Sequence, residues 1–261
     1  MPDSWRLKLD RATEHVNALD HAIERFLDLK PYAARRVINS DGTEYVFVWE
    51  KVQRTPDCFA LIAGDAIHNL RSSLDHMAVE LAKAGAAASG TAMTKEEEAR
   101  IQFPIVESRN EFDEQVSRRR LQHVKACAQA IIERAQPYNV VPKSPRNALV
   151  WIMGDLDNAD KHRELAVAAF VPTIVQDALP SRPLGKFQFP SGDRRAKPGA
   201  EIGRFVFSAP QREVDVPVEF RWGFILWTGA NTPFHDIRHT LRTYIDVVSS
   251  MILDPLAQLL P

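Results

Sequence analysis

Residues 64–81 read GDAIHNLRSSLDHMAVEL, Gly64 to Leu81. Wound at about 100° per residue, Ile67, Leu70, Leu74, Met77, Ala78 and Leu81 fall on one stripe, the signature of an amphipathic helix. Asp65, His68, Asn69, Ser72, Asp75 and His76 lie on the other side, with Arg71 at its edge. A surface helix ordinarily fills that side with Lys and Glu. Carboxylates, imidazoles and a hydroxyl suit proton transfer, metal binding or hydrogen bonding to a second helix. The segment thus predicts a helix covered on both sides.

Outward from this helix, the N-terminal stretch from about Asp3 to Leu29 places Trp5, Leu9, Ala12, Val16, Leu19, Ile23 and Phe26 at alternating spacings of four and three. That seam asks for a long antiparallel neighbour. Residues 33–52, AARRVINSDGTEYVFVWEKV, read as a β-hairpin turning at Asp41-Gly42. Thr55-Pro56-Asp57 is a helix start, and that helix is expected to reach about Lys83. Gly85 to Thr94 reads as a flexible loop. Thr94 with Glu97 and Ser108 with Glu111 form capping-box patterns.

Further helices are expected over Leu121–Ala135, Asn147 to about His162 and Asp236 to about Leu253. Leu165–Val175 reads as a buried strand, residues 176–200 as a surface loop, and Arg204–Ser208 with Val214–Trp227 as two strands of a meander. Tyr45, Phe47, Trp49, Trp222, Phe224 and Trp227 sit mostly at alternate positions of such strands. The expectation is a mainly α (α+β) fold, an antiparallel helical bundle with a small attached antiparallel sheet, in one domain spanning residues 1–261.

Lys and Arg number 33 against 34 Asp and Glu, so the net charge is −1. That balance excludes a general nucleic-acid coat, while a local basic patch stays open. Arg118-Arg119-Arg120 with Lys125 and Arg109 is such a patch. The N-terminus lacks a signal-peptide core and no apolar run is long enough to span a bilayer, so no membrane partner and a cytoplasmic location are expected. Cys58 and Cys127 lie in apolar helical patterns and read as buried reduced thiols.

Three chemistries are open at the polar helix. In the first, Arg71 holds a phosphate and His76, five residues on, moves a proton, with Ser72 and Asp75 in support. In the second, Asp65-x-x-His68 and Asp236-x-x-His239 each put a carboxylate and an imidazole one turn apart. Bundles that hold two ions use such pairs, with iron, manganese or zinc as the ion and Asp160, His162 or Glu14 as further ligands. In the third, these groups form a structural or interaction network, Arg71 pairing with an acid. The second polar block, LDNADKHREL (Leu156 to Leu165), is explained under that reading by helix-end charges and by the Asp157–Lys161 i,i+4 pair.

The pair of blocks HNLRSSLDHMAVEL and LDNADKHREL resembles a family of bacterial proteins of uncharacterised activity that carry an HNLRS-x-LDH helix early and an N-x-x-DKHR segment near the middle. In this chain the second block, Asn158-Ala-Asp160-Lys161-His162-Arg163, is one residue shorter between Asn and Lys. The resemblance implies that the blocks form one unit, with Asp160 and His162 approaching His68 and His76. Separately, Arg71-x4-His76 is similar to the R-x4-6-H signature of HEPN domains, helical bundles of which many are metal-independent ribonucleases. That similarity implies RNA as a partner, no cofactor, and a homodimer that shares the site, and metal-independent RNA cleavage is the function expected here, with the interaction network and the metal-dependent bundle as alternatives.

Overall fold

The computed structural model describes residues 3–162, 165–175, 186–191, 194–210, 219–227 and 236–261, with the backbone alone for 162, 171–175, 186, 219 and 227. In chain order the elements are α1 (Ser4–Asp28), β1 (Tyr32–Ile38), β2 (Glu44–Val52), α2 (Cys58–Ala88), α3 (Lys95–Glu98), α4 (Arg109–Ser117), α5 (Ala126–Arg134), α6 (Pro137–Val140), α7 (Leu149–His162), β3 (Ala166–Val175), β4 (Lys186–Gln188), β5 (Glu201–Val206), β6 (Glu219–Trp227), α8 (Ile237–Val248) and α9 (Asp254–Ala257). A 3-10 turn at Pro145–Asn147 precedes α7, and a π turn at Ser249–Leu253 joins α8 to α9. The fold is mixed α+β, mainly helical. Its contacts fall into two compact units: Met1–Ala18, Leu61–Leu165 and Thr240–Pro261 in the first, Leu19–Ala60 and Ala166–His239 in the second.

The first unit is the bundle. All six apolar residues of the α2 stripe, Ile67 through Leu81, are buried. Full burial of a large apolar side chain is worth roughly 1.5–3 kcal/mol, more than an exposed ion pair, so this stripe sets which face of α2 turns inward. Polar contacts then fix the register. Ser4 Oγ donates to Glu80 Oε1 at 3.3 Å and Lys8 Nζ to Asn69 Oδ1 at 3.3 Å. Rising numbers on α1 meet falling numbers on α2, so the two run antiparallel, but the polar face of α2 is only partly covered: Asp65 and His68 are exposed and Asn69, Ser72, Asp75 and His76 half-buried.

Helix α2 does not stop near Lys83. It runs to Ala88, and the turn after it closes at Gly90 with φ +70°. The Ala-rich end is strongly helix-forming, and Gly85 is there for clearance: a Cβ would lie 1.8 Å from the carbonyl oxygen of His123. That approach also explains why the helix expected over Leu121–Ala135 begins only at Ala126. His123 has φ +66° and Arg119 φ +61°, so the chain turns sharply before α5. The Thr94–Glu97 capping box is complete, whereas Ser108 caps α4 alone and Glu111 turns back to the Glu107 N–H at 2.9 Å.

The second unit holds two antiparallel sheets, one ordered β1-β2-β5-β4 and the other pairing β3 with β6. The hairpin β1–β2 closes through Gly42 at φ +74°, and Asp41 Oδ1 accepts from Thr43 N and Oγ1 at 2.9 and 2.6 Å. Tyr45, Phe47 and Trp49 are buried on one face of β2, and Trp49 stands 4.9 Å from Trp222 of β6 between ring centroids. The meander expectation fails: β5 pairs with β2 and β4, while β6 pairs with β3. Pairing depends on long-range packing that alternation within each strand does not encode. Within the stretch expected as a surface loop, Lys186–Gln188 forms β4, and residues 176–185 lie outside the described residues.

Both cysteines are exposed, not buried. Each is one position off its helix's inward face, where Phe59 and Ala128 are buried instead. No helix among the described residues is long and apolar enough to cross a membrane.

Candidate functional site

The two polar blocks meet. Gly64, His68, Arg71 and Asp75 recur at four and three along α2 and form one line. Asp160 and Asp157 of α7 answer the first two in reverse order. A Cβ on Gly64 would lie 2.6 Å from either carboxylate oxygen of Asp160, so the glycine lets α7 close in. One turn on, His68 Nδ1 is 3.0 Å from Asp157 Oδ1.

Asp157 is the centre of the arrangement. Its side chain is 4% exposed, against 49% for His68. Lys161 Nζ donates to its other oxygen at 2.6 Å. A carboxylate only accepts, so in this contact His68 Nδ1 is the donor. Burial, followed by the nearby charges of Asp65 and Asp157, pushes the Asp160 carboxyl above its ordinary range; His68 opposes that shift.

Arg71 and Asp75 close the other end of the line. Arg71 Nη1 donates to Asp75 Oδ1 at 2.9 Å, and Nη2 donates to the Phe103 carbonyl at 2.9 Å. Asp75 Oδ1 also accepts the Phe103 N–H at 2.9 Å. Both main-chain groups of Phe103 are thereby held by α2. Phe103 itself is fully buried, so the ion pair anchors segment 102–106 to the helix. The Arg71 side chain is 11% exposed.

The remaining candidates are dispersed. Among the described residues, neither His76 nor Ser72 has a side-chain hydrogen-bond partner, and both are half-buried. Asn69 Nδ2 donates to the Asp65 carbonyl at 2.8 Å while the Asp65 side chain is exposed. Glu14 pairs with Arg11 on the surface of α1. The His162 side chain and Arg163 lie outside the described residues. Asp236 and His239 belong to the second unit, where Asp236 accepts from the Arg238 N–H and guanidinium. No group of three or more His, Cys, Asp or Glu side chains is gathered for a metal among the described residues. In the basic patch, Arg109 pairs with Asp113, Arg118 with Glu114, and Arg120 donates to the Arg100 carbonyl, so much of its charge is locally engaged.

Beside Arg71 and Asp157 lies a groove of about 300 Å³. Segment 102–106 and Gln115 form one wall, α7 from Trp151 to Lys161 the other.

Composition around Asp157 held a clue that the helix reading passed over. Val150, Met153 and Asp157 follow one face of α7, and the first two are buried, so a carboxylate stands on an apolar stripe. A buried charge needs partners, and His68 and Lys161 supply them. Set against protein-family models, curated proteins and solved structures, the chain finds no match in any of the three comparisons.

Proposed function

We propose that this is a non-enzymatic helical-bundle protein in which the polar face of α2 is a hydrogen-bonded network and the groove beside it an interaction surface. The observation that carries the reading is the engagement of Arg71. Its guanidinium bridges Asp75 and the Phe103 carbonyl and is nearly buried, so it is not presented to an incoming phosphate. His76, about 140° around the helix from Arg71 at five residues' separation, has no contact that would aim it at a shared substrate. The deciding experiment compares Arg71→Ala and His76→Ala with the parent chain in thermal melting and in cleavage of labelled single-stranded RNA. A lower melting temperature for Arg71→Ala, with RNA intact throughout, is expected. RNA cleavage by the parent chain that both substitutions abolish overturns the reading.

One arrangement favours a second reading, RNA binding and cleavage by general acid–base chemistry. A half-exposed imidazole oriented by a buried carboxylate is how general acid–base groups are held, and His68 with Asp157 has that form. The acid–base role then passes from His76 to His68, and a homodimer is expected. Molar mass in solution and RNA cleavage by His68→Ala test it; a monomer that leaves RNA intact ends it.

A further inference from the structure

The groove has a lining whose unsatisfied groups define what fits. Segment 102–106 belongs to no helix and leaves the carbonyls of Gln102 and Val106 and both main-chain groups of Ile105 without a hydrogen bond among the described residues. Phe103 is held by Asp75 and Arg71, Val106 N–H donates to Gln136 Oε1 at 3.1 Å, and the Pro104 carbonyl accepts from Gln136 Nε2 at 2.9 Å. Ile105 lies between these anchored residues with neither its N–H nor its C=O bonded among the described residues. The segment is therefore fixed on both sides of an open donor and acceptor, the geometry that pairs with an extended backbone.

Three carboxamides, Gln102, Gln115 and Asn158, line the same groove with no side-chain hydrogen bond among the described residues. Each offers a donor and an acceptor, matching peptide groups. The fixed charges decide the side chain. Arg71 is balanced by Asp75 and Lys161 by Asp157. Asp155, exposed on the rim, is left without an ion-pair partner within contact distance. Arg146 feels its charge, but its Nε is bound to Glu107 at 2.9 Å and its guanidinium lies over the Trp151 ring at 5.6 Å. The protein's own arginine thus marks this rim as a place that accepts guanidinium against an aromatic face.

We propose that the groove between α7 and residues 102–106 receives an extended peptide segment of a partner protein, paired to the Ile105 main chain and carrying a Lys or Arg directed at Asp155. The inference rests on the interaction-surface reading above and names its partner class. An RNA strand fits less well, because the only uncompensated charge among the described lining residues is negative and would repel phosphate.

The test pans a phage library of random heptapeptides against the full chain. Selected peptides, synthesised with blocked ends, are titrated against the parent chain, Asp155→Lys and Asn158→Arg. Asn158 is exposed on α7, so the long side chain fills the groove without entering the core, and equal melting temperatures confirm that the fold is kept. The expected result is enrichment of peptides with a basic residue and binding about tenfold weaker in both variants. Peptides that bind both variants as well as the parent overturn the groove assignment but leave the interaction reading standing. Failure to enrich any peptide removes both. A single-stranded oligouridylate that binds the parent chain and is displaced by the selected peptides shows that the groove takes RNA, which also overturns the proposal.

Discussion

Asp157 holds two partners from one buried carboxylate: His68 Nδ1 at 3.0 Å on one oxygen and Lys161 Nζ at 2.6 Å on the other. Both partners are about half exposed, so each can be rehydrated when the carboxylate is removed. Asp157→Ala is expected to cost about 1–2 kcal/mol, less than the loss of a fully buried partner. Denaturant titration measures it, and His68→Ala in the same background adds little if the two side chains act together.

Arg71→Ala is expected to cost more, about 2–3 kcal/mol, because it strips the Phe103 carbonyl of its donor and leaves Asp75 half paired in a part-buried position. Arg71→Lys does not restore the loss, since one ammonium cannot span two acceptors as a guanidinium fork does. Urea melts of the two variants check the order; equal stability of Arg71→Lys and the parent chain refutes it.

Asp160 supplies a pH-dependent term of opposite sign to the usual carboxylate. Its pKa in the folded chain lies above the ordinary 3.8, so the folded state binds the proton more tightly than the unfolded state does. Ionised Asp160 therefore opposes folding at neutral pH, and the opposition fades as pH falls through its raised pKa. Asp160→Asn is expected to raise the melting temperature at pH 7, with the gain shrinking in acid. Melts of both proteins from pH 7 down to pH 3 read this directly, and a gain that persists or grows in acid contradicts it.

Gly85→Ala is expected to be severely destabilising, by about 3 kcal/mol or more. An ordinary helix glycine gains stability on that change, but here the new methyl meets main chain at His123, which cannot swing aside. Thermal melting of the variant decides between the two outcomes.

Much of the bundle was legible because periodicity reports burial. The seam from Trp5 to Phe26 and the stripe from Ile67 to Leu81 are buried nearly residue for residue. The end of α2 was not legible, since Gly85 resembles a helix stop and only the proximity of His123 gives it another purpose. Strand partners were not legible either, as the β5 and β6 patterns are compatible with each other and with other strands. At the site, the sequence singled out α2, and the contacts that join α2 to α7 centre on Asp157. The contact line runs along Arg71 at the edge of the polar face, and Asp157, seen only as half of an i,i+4 pair, joins the two blocks. A residue's neighbours on its own helix can be read from spacing; its neighbours on another helix cannot.

The interleaving of the two units has a consequence for synthesis. The unit that carries Asp157, His68 and the groove includes Thr240–Pro261 as well as residues near the N-terminus. On a ribosome, α2 and α7 emerge long before that last segment, so the unit gains its contacts with residues 240–261 late. No contiguous fragment of the chain contains the whole unit without also containing all of the sheets.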